Sequence, residues 1–523
     1  MGDARVYARN LFATWFGYVA NLAVMFFLTR YVIGVLGTSA YGIWVLLVGL
    51  TGYLGLVEMG IRPSMGRFIN YYLGRKEPEK VNAVISTAMM IFLVCGLLLL
   101  IVAVTLNMVL GGLFPKLGDM VGDARMVILL TAANLFLSFY GAAFLQVLVA
   151  HERFDITNAI NLIILTLRTA GMVVVLYSGY GIVEMAWVLL GAGAVQLLMQ
   201  ALAAWRVFPA LRISPKLASW ACFRELFVFS IWAFLSSVSI QLLYWADQPM
   251  IAAILTMEMV AVYNIGSMLV MQARQLMTEL GFPFSPQILQ DCATKNFADI
   301  RRLVTWSTNL IMSLSMLLFL GFVFFGGEFL WLWLMQHSGG GADDGGPARF
   351  TSDDITLARD VMIILALAQL AATSTYVLSN VYNGLNRVRF AAVLTFIQSA
   401  VSVALMLVLL LAYRDARGAA LGVAIPRVVF AAISTAAALR WIQYGWASYA
   451  STLLIRWGAL AAVFCTVCLT INWLMPHVSW KWFVTKFAVA VTVYAPLAWY
   501  ILLSRAERDR YGGTIRSKLG IRL

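Results

Sequence analysis

The chain has 523 residues, 62% of them hydrophobic and only 12% charged, with a mean hydropathy of +0.86. No water-soluble fold needs that much apolar surface, so the composition excludes soluble classes and describes an all-α polytopic membrane protein. The net charge of +13 is then to be sorted by membrane side, and nucleic acid is not an expected partner.

Hydropathy predicts about fourteen membrane-spanning helices. In chain order they occupy residues 11–32, 41–61, 83–106, 126–149, 159–177 and 182–205, then 226–255, 260–282, 304–325, 355–382, 391–413 and 419–440, and finally 453–475 and 483–503. Arg5 and Arg9 precede a first apolar run too long for a signal-peptide core, and no small-residue cleavage site follows it. That span carries Asn10, Thr14, Gly17 and Asn21 at i, i+4, i+7 and i+11, one helical face. The second span ends in Glu58-Met59-Gly60 and then Arg62-Pro63, with Glu58 one turn from Arg62. Glu58 is read either as half of that ion pair or as a carboxylate for a proton or sodium ion.

In the fifth span Arg168 lies near mid-depth, sharing a face with Asn158 and Asn161. The seventh span repeats the polar stripe of the first with Ser237, Gln241, Tyr244 and Gln248, and Asp247 stands beside it. Two such stripes at equivalent places suggest either a shared wet cavity or hydrogen bonding between helices. The eighth span carries Arg274 midway and Glu279 near its end, and the twelfth carries Arg427 next to Pro426. Charge at mid-bilayer costs about 2.5–3.5 kcal/mol or more, so Arg168, Arg274 and Arg427 must face water, an anion or a buried acid such as Asp247 or Glu184.

A repeat organises these elements. The stretch 34–67 returns as 255–286: Tyr41 is matched by Tyr263, Glu58-Met59-Gly60 by Glu279-Leu280-Gly281, and a proline follows closely in each. Short basic hairpins follow the fourth and tenth spans (AHERF at 150–154, NGLNRVRF at 383–390), and each opens the next span. The expected organisation is a six-span lobe at 1–222, a second at 223–440, and two further spans with a basic tail at 441–523. With the N-terminus inside, the inner segments hold most of the Lys and Arg. The outer loops hold only Lys116, Arg125, Arg349, Arg414, Arg417 and Lys481, so both termini are expected in the cytoplasm. The basic tail from Arg505 is expected to rest on anionic membrane lipids. The outer loop 338–349, SGGGADDGGPAR, reads as a flexible linker. Five scattered cysteines and three isolated histidines show neither a disulfide framework nor metal-ligand spacing, and no cofactor is implied.

The segments LGTSAYGIW and EMGIR resemble the start of the Wzx-type polysaccharide and oligosaccharide flippases of the MOP superfamily, which also holds the MurJ-type lipid II flippases and the MATE exporters. FRELFVFSIW, ADQPMIAAIL, VAVYNIGSML, FLWLWL and NGLNRVRF extend the resemblance in order over nearly the whole chain. It implies fourteen helices, with two six-helix lobes around a V-shaped central cavity and two C-terminal helices beyond them. It also implies an undecaprenyl-diphosphate-linked glycan as substrate, the bacterial inner membrane as location, and a polysaccharide polymerase or export machinery as partner. A cationic cavity suits such a substrate, and Arg168, Arg274 and Arg427 fit it by residue type and depth. Asn10, Thr14, Asn21, Ser237, Gln241 and Tyr244 are its candidate polar lining; Asp247, Glu58 and Glu279 are candidate coupling or ion-pair acids for H+ or Na+. The rival readings are a MATE-like exporter of organic cations, which should prefer buried acids, and a membrane glycan polymerase or ligase, which would need an ordered outer constellation.

Overall fold

The structure is a computed structural model. It describes residues 4–502 apart from 59–60, 282–283, 295, 335–349 and 386. The side chains of 4–19, 57, 63, 228–233, 236, 285–286, 293, 388, 450 and 452 also lie outside the description. The outer Gly-rich loop and the basic tail therefore fall outside the described residues. Every regular element among the described residues is helical.

The first two expected spans form one hydrogen-bonded run, α1 (Ala4–Leu54), interrupted at Gly37 with φ 83° and ψ 175°. That conformation strains any residue with a Cβ, so glycine makes the turn from the first span into the second without a loop. The second span then breaks inside the repeated stretch, just before Glu58-Met59-Gly60. A 3-10 turn at Gly55–Glu58 leads to α2 (Ile61–Gly74). The same plan recurs later: α9 (Met257–Gly281) ends two residues past Glu279 and is followed by α10 (Ser285–Ala293). The motif shared by the two halves is thus a helix break followed by a short amphipathic helix.

The remaining helices follow the hydropathy pattern: α3 (Pro78–Leu113), α4 (Val121–Ala150), α5 (Phe154–Tyr177), α6 (Ile182–Val207), α7 (Trp220–Trp245), α8 (Asp247–Ile254), α11 (Phe297–Leu334), α12 (Ser352–Ala371), α13 (Thr375–Gly384), α14 (Val388–Tyr413), α15 (Ala416–Trp441), α16 (Trp446–Tyr449), α17 (Ile455–Leu474) and α18 (Trp480–Leu502). Every expected span thus meets helix, but ten helices among the described residues are long and apolar enough to cross a bilayer. The bent pair α12–α13, at 43°, makes up to eleven. The shortfall against fourteen comes from α1 joining two spans, from α7, part of which lies outside the description, and from α9. The last carries Glu258, Asn264, Gln272, Arg274, Gln275 and Glu279 within one helix.

The chain divides into two compact units, one ending at Ala261 and the other beginning at Val262. The helices α7 and α8, expected in the second lobe, make their contacts within the first unit, where α7 lies on α2 and α8 on α1. In that unit α4 packs against both α3 and α6. Its helix contacts share a device that hydropathy does not reveal: an amide side chain set against a glycine. Asn134 lies over Gly193, Gln146 over Gly66, Gln200 over Gly141, Gln241 over Gly52 and Gln248 over Gly49. Small residues let helices approach closely, and an amide can bond to what the approach exposes.

In the second unit, α14 and α15 meet through Gly418 and Gly422, a small-xxx-small pair lying on the backbone of Leu409 and Met406. A Cβ at Gly422 would overlap Met406. Gly422→Leu is therefore expected to reduce the yield of monodisperse protein several-fold in fluorescence-detected size exclusion. Gly458→Leu is expected to behave as wild type, because nothing lies within 4 Å of a Cβ there. The last two spans, α17 and α18, are stitched to α11 by four polar contacts. Trp457 Nε1 donates to Asn309 Oδ1 (2.9 Å), Tyr494 OH to Ser313 O (2.5 Å), Asn472 Nδ2 to Phe324 O (3.2 Å), and Lys486 Nζ to Glu328 Oε2 (2.7 Å). From Asn309 to Glu328 is about 28 Å of helix at 1.5 Å per residue, nearly the full thickness of a bilayer core.

Candidate functional site

Arg168 stands at the centre of the buried stripe of α5. Ile160, Ile164, Met172 and Leu176 flank it at four-residue intervals, and all four are buried. The described packing of α5 against α4 and α6 is apolar: Ile160 and Ile164 join Leu148 and Ala192 in one cluster, and Gly171 lies against Val188 of α6. Arg168 is itself half-buried, and among the described residues no acid, carbonyl or hydroxyl bonds its guanidinium. Asn161, expected beside it, is exposed. Glu184, an expected counter-ion, accepts instead from Gly181 N (3.0 Å) and caps the start of α6. A cation with five N–H donors, flanked along its helix by buried aliphatic residues and bonded to no acid among the described residues, is a site in want of an anion or water.

Arg274 and Arg427 belong to the second unit and differ from Arg168, since each engages a neighbouring group. Arg427 is 8% exposed, beside Pro426 and the small residues Ala420, Ala424 and Ala431 that let α15 pack closely. Arg274 is half-buried on α9, where Thr278 Oγ1 bonds its carbonyl (3.1 Å).

The acids separate by environment. Asp247, at the first position of α8, is 5% exposed and accepts from Gln248 N (2.8 Å). It belongs to a buried polar patch in the first unit. Gly49, Gly52 and Tyr53 occupy one face of α1; Gln248 and Gln241 lie against the glycines, and Tyr53 is within the field of Asp247. Gln248 Oε1 and Gln241 Nε2 are buried there without a hydrogen-bond partner among the described residues. Of the expected lining, Ser237 and Tyr244 are half-buried and Asn21 is exposed, whereas the side chains of Asn10 and Thr14 lie outside the described residues. Glu58 pairs with Arg62 at 2.9 Å, as the i, i+4 spacing predicts. Glu279 is exposed and accepts from Gln275 Nε2 (2.9 Å).

Sequence reading missed the buried ion pair Lys486–Glu328, whose side chains are 4% and 11% exposed. Both residues lie near the ends of long apolar runs, where a charge reads as interfacial. A lysine three residues into the last expected span, on the side where the sequence reading expects few lysines, was the available signal. Among the described residues no group of His, Cys, Asp and Glu could hold a metal ion.

Residues 7–280 match the family described as "Polysaccharide biosynthesis protein". The chain belongs to that family. No curated protein sequence matches it. Among solved structures, the chain is similar to a lipid II flippase MurJ in an inward closed conformation, with a TM-score of 0.71 at 15% identity, covering 97% of this chain and 100% of that one. It is also similar to an inward-facing multidrug resistance MATE transporter, with a TM-score of 0.67 at 14% identity, covering 82% of this chain and 98% of that one. A third match is a MOP superfamily transporter from Pyrococcus furiosus, with a TM-score of 0.60 at 14% identity over 83% of this chain and 95% of that one. At such identities the likeness shows the fold, which is that of the MOP superfamily. The resemblance drawn from LGTSAYGIW and EMGIR is borne out: this family member is a multi-pass membrane protein with a transporter fold.

Proposed function

We propose that the protein flips an undecaprenyl-diphosphate-linked oligosaccharide from the cytoplasmic to the periplasmic leaflet of the bacterial inner membrane, with both termini in the cytoplasm, for polysaccharide assembly. The observation that carries the reading is Arg168, a half-buried guanidinium in an apolar stripe with no counter-ion among the described residues. Moving this lipid requires no covalent step. The sugar and diphosphate must be shielded from hydrocarbon while the polyprenyl chain stays in it. Arginine's planar fork matches phosphate oxygens bidentately, and low local dielectric strengthens that bond. In this reading Arg168, Arg274 and Arg427 meet the diphosphate and anionic groups of the glycan, and the amides of the first and seventh spans meet sugar hydroxyls. Alternating access then releases the glycan on the far side, where a polymerase or export machinery takes it.

Asp247 favours a coupling role over Glu58 and Glu279. It is buried beside the unpartnered Gln248 Oε1, while Glu58 is already paired and Glu279 is exposed. An H+ or Na+ bound there would change the charge of the first unit between the two states of the cycle. The same buried acid is what the rival reading, a MATE-like exporter of organic cations, would use.

Binding separates the two readings. In detergent, the diphosphate-linked glycan is expected to raise the melting temperature of wild type, and that shift is expected to shrink in Arg168→Gln and to survive in Asp247→Asn. A shift produced by organic cations and lost in Asp247→Asn would support the exporter instead.

A further inference from the structure

Three buried side chains on α3 tie down the connector that follows α6. Asn82 donates from Nδ2 to Ala210 O (2.9 Å) and accepts at Oδ1 from Arg212 N (3.1 Å). Ser86 Oγ accepts from Ser214 N (3.2 Å), and Thr87 Oγ1 from Ser219 N (3.1 Å). Asn82, Ser86 and Thr87 are 6%, 1% and 4% exposed; Asn82 and Ser86 share one face of α3, and Thr87 adjoins it. The connector adds its own order: Leu211 is buried beneath it, and Ser214 Oγ accepts from Lys216 N (3.3 Å). Residues 208–219 are therefore a fixed strap whose main chain is bonded to buried side chains, and α7 starts at its end.

What the strap turns outward is of one kind. Trp205, Arg206, Arg212, Lys216, Leu217 and Trp220 are all exposed, Trp220 at 77%. The Trp220 ring is nonetheless held, stacked on Phe223 at 4.8 Å. From Met185 to Arg224 the sequence has four cations and no acid. Of the acids on packed elements, Glu77 pairs with Arg75 (3.2 Å) and Lys80 (2.9 Å) and Glu225 accepts from Tyr72 OH (3.4 Å), while Glu79 and Glu152 are exposed. The strap begins where α6, long and apolar enough to span a bilayer, ends. Its height is thus that of the lipid headgroups, where indole rings and leucine settle at the acyl boundary and Lys and Arg meet phosphate.

We propose that this strap is a docking surface for anionic phospholipid headgroups, and that lipid bound there holds the connector between the two repeats in the membrane plane. The proposal rests on the functional reading above only for which leaflet is engaged. Rigidity distinguishes the strap from an ordinary basic loop: the backbone of Arg212 is fixed by Asn82, so its cation is presented before lipid arrives, and less ordering cost falls on binding.

Native mass spectrometry of the full chain, released from micelles containing phosphatidylglycerol and phosphatidylcholine, tests it. Wild type is expected to retain phosphatidylglycerol in preference to phosphatidylcholine. The triple variant Arg206→Gln/Arg212→Gln/Lys216→Gln is expected to lose that retention by at least about tenfold, at about 1 kcal/mol per cation. Asn82→Ala keeps every charge but releases the strap, and should weaken retention by less. Arg414→Gln/Lys481→Gln, in loops expected on the opposite side, should leave retention unchanged. Equal retention of both lipids by wild type, or full retention by the triple variant, would overturn the proposal. So would retention of a diphosphate-linked carrier lipid in place of phosphatidylglycerol, since the surface would then belong to the transport path. Retention is read without any transport, so its failure is distinct from failure of the flippase reading.

Discussion

Arg168→Ala is expected to slow lipid reorientation by about ten- to hundredfold, the loss of one or two charge-assisted hydrogen bonds to phosphate at about 1.5–3 kcal/mol each. Its stability is expected to stay level or rise. The wild-type guanidinium sits in the buried stripe Ile160–Leu176 with no counter-ion among the described residues, and removing an uncompensated charge from such a place relieves desolvation. Lower activity with equal or higher melting temperature is the signature of a residue kept for function. A structural arginine would give the opposite pairing. Arg168→Lys should fall between, because lysine restores the charge without the planar fork. Sidedness of a labelled lipid in proteoliposomes and thermal melting of the same preparations measure the two quantities together.

The second large effect belongs to Lys486 and Glu328, the pair that holds α18 to α11. Lys486→Met leaves the Glu328 carboxylate buried with nothing to balance it, and is expected to cost about 3–5 kcal/mol. The double variant Lys486→Met/Glu328→Gln removes both charges and should recover most of that loss, since a buried ion pair contributes little net stability over neutral groups of similar size. Recovery in a double-mutant cycle, read as the fraction surviving heating in detergent, separates charge balance from simple packing. If the double variant is worse than either single one, the contact holds α18 by shape rather than by charge.

What the sequence disclosed follows from the range of the interactions. Local ones were legible. The i, i+4 spacing of Glu58 and Arg62 forecast their ion pair, and the repeated acid-x-Gly motif marked the place where α1 and α9 both break. Position along a helix was legible as well: Arg168 falls near the middle of α5, as counting along the apolar run requires. Contacts between elements were not. Each glycine that receives an amide, such as Gly193 under Asn134 or Gly141 under Gln200, needs a partner dozens of residues away, and neither residue carries a mark of it. The stripe Gln241–Gln248 illustrates the difference. Its periodicity showed a shared face, but only the fold shows Gly49 and Gly52 against it. The Lys486–Glu328 pair spans 158 positions and was hidden by the nearness of both residues to span ends.

The most direct measurement of the central claim is whether the purified protein alone reorients a fluorescent undecaprenyl-diphosphate oligosaccharide in proteoliposomes, scored by a reductant or lectin added outside. The account predicts that protein-containing vesicles expose the labelled lipid on both faces, that empty vesicles do not, and that Arg168→Ala vesicles lag behind wild type. Vesicles that leave the cognate lipid on its original side, yet move an organic cation against a proton or sodium gradient, would contradict it.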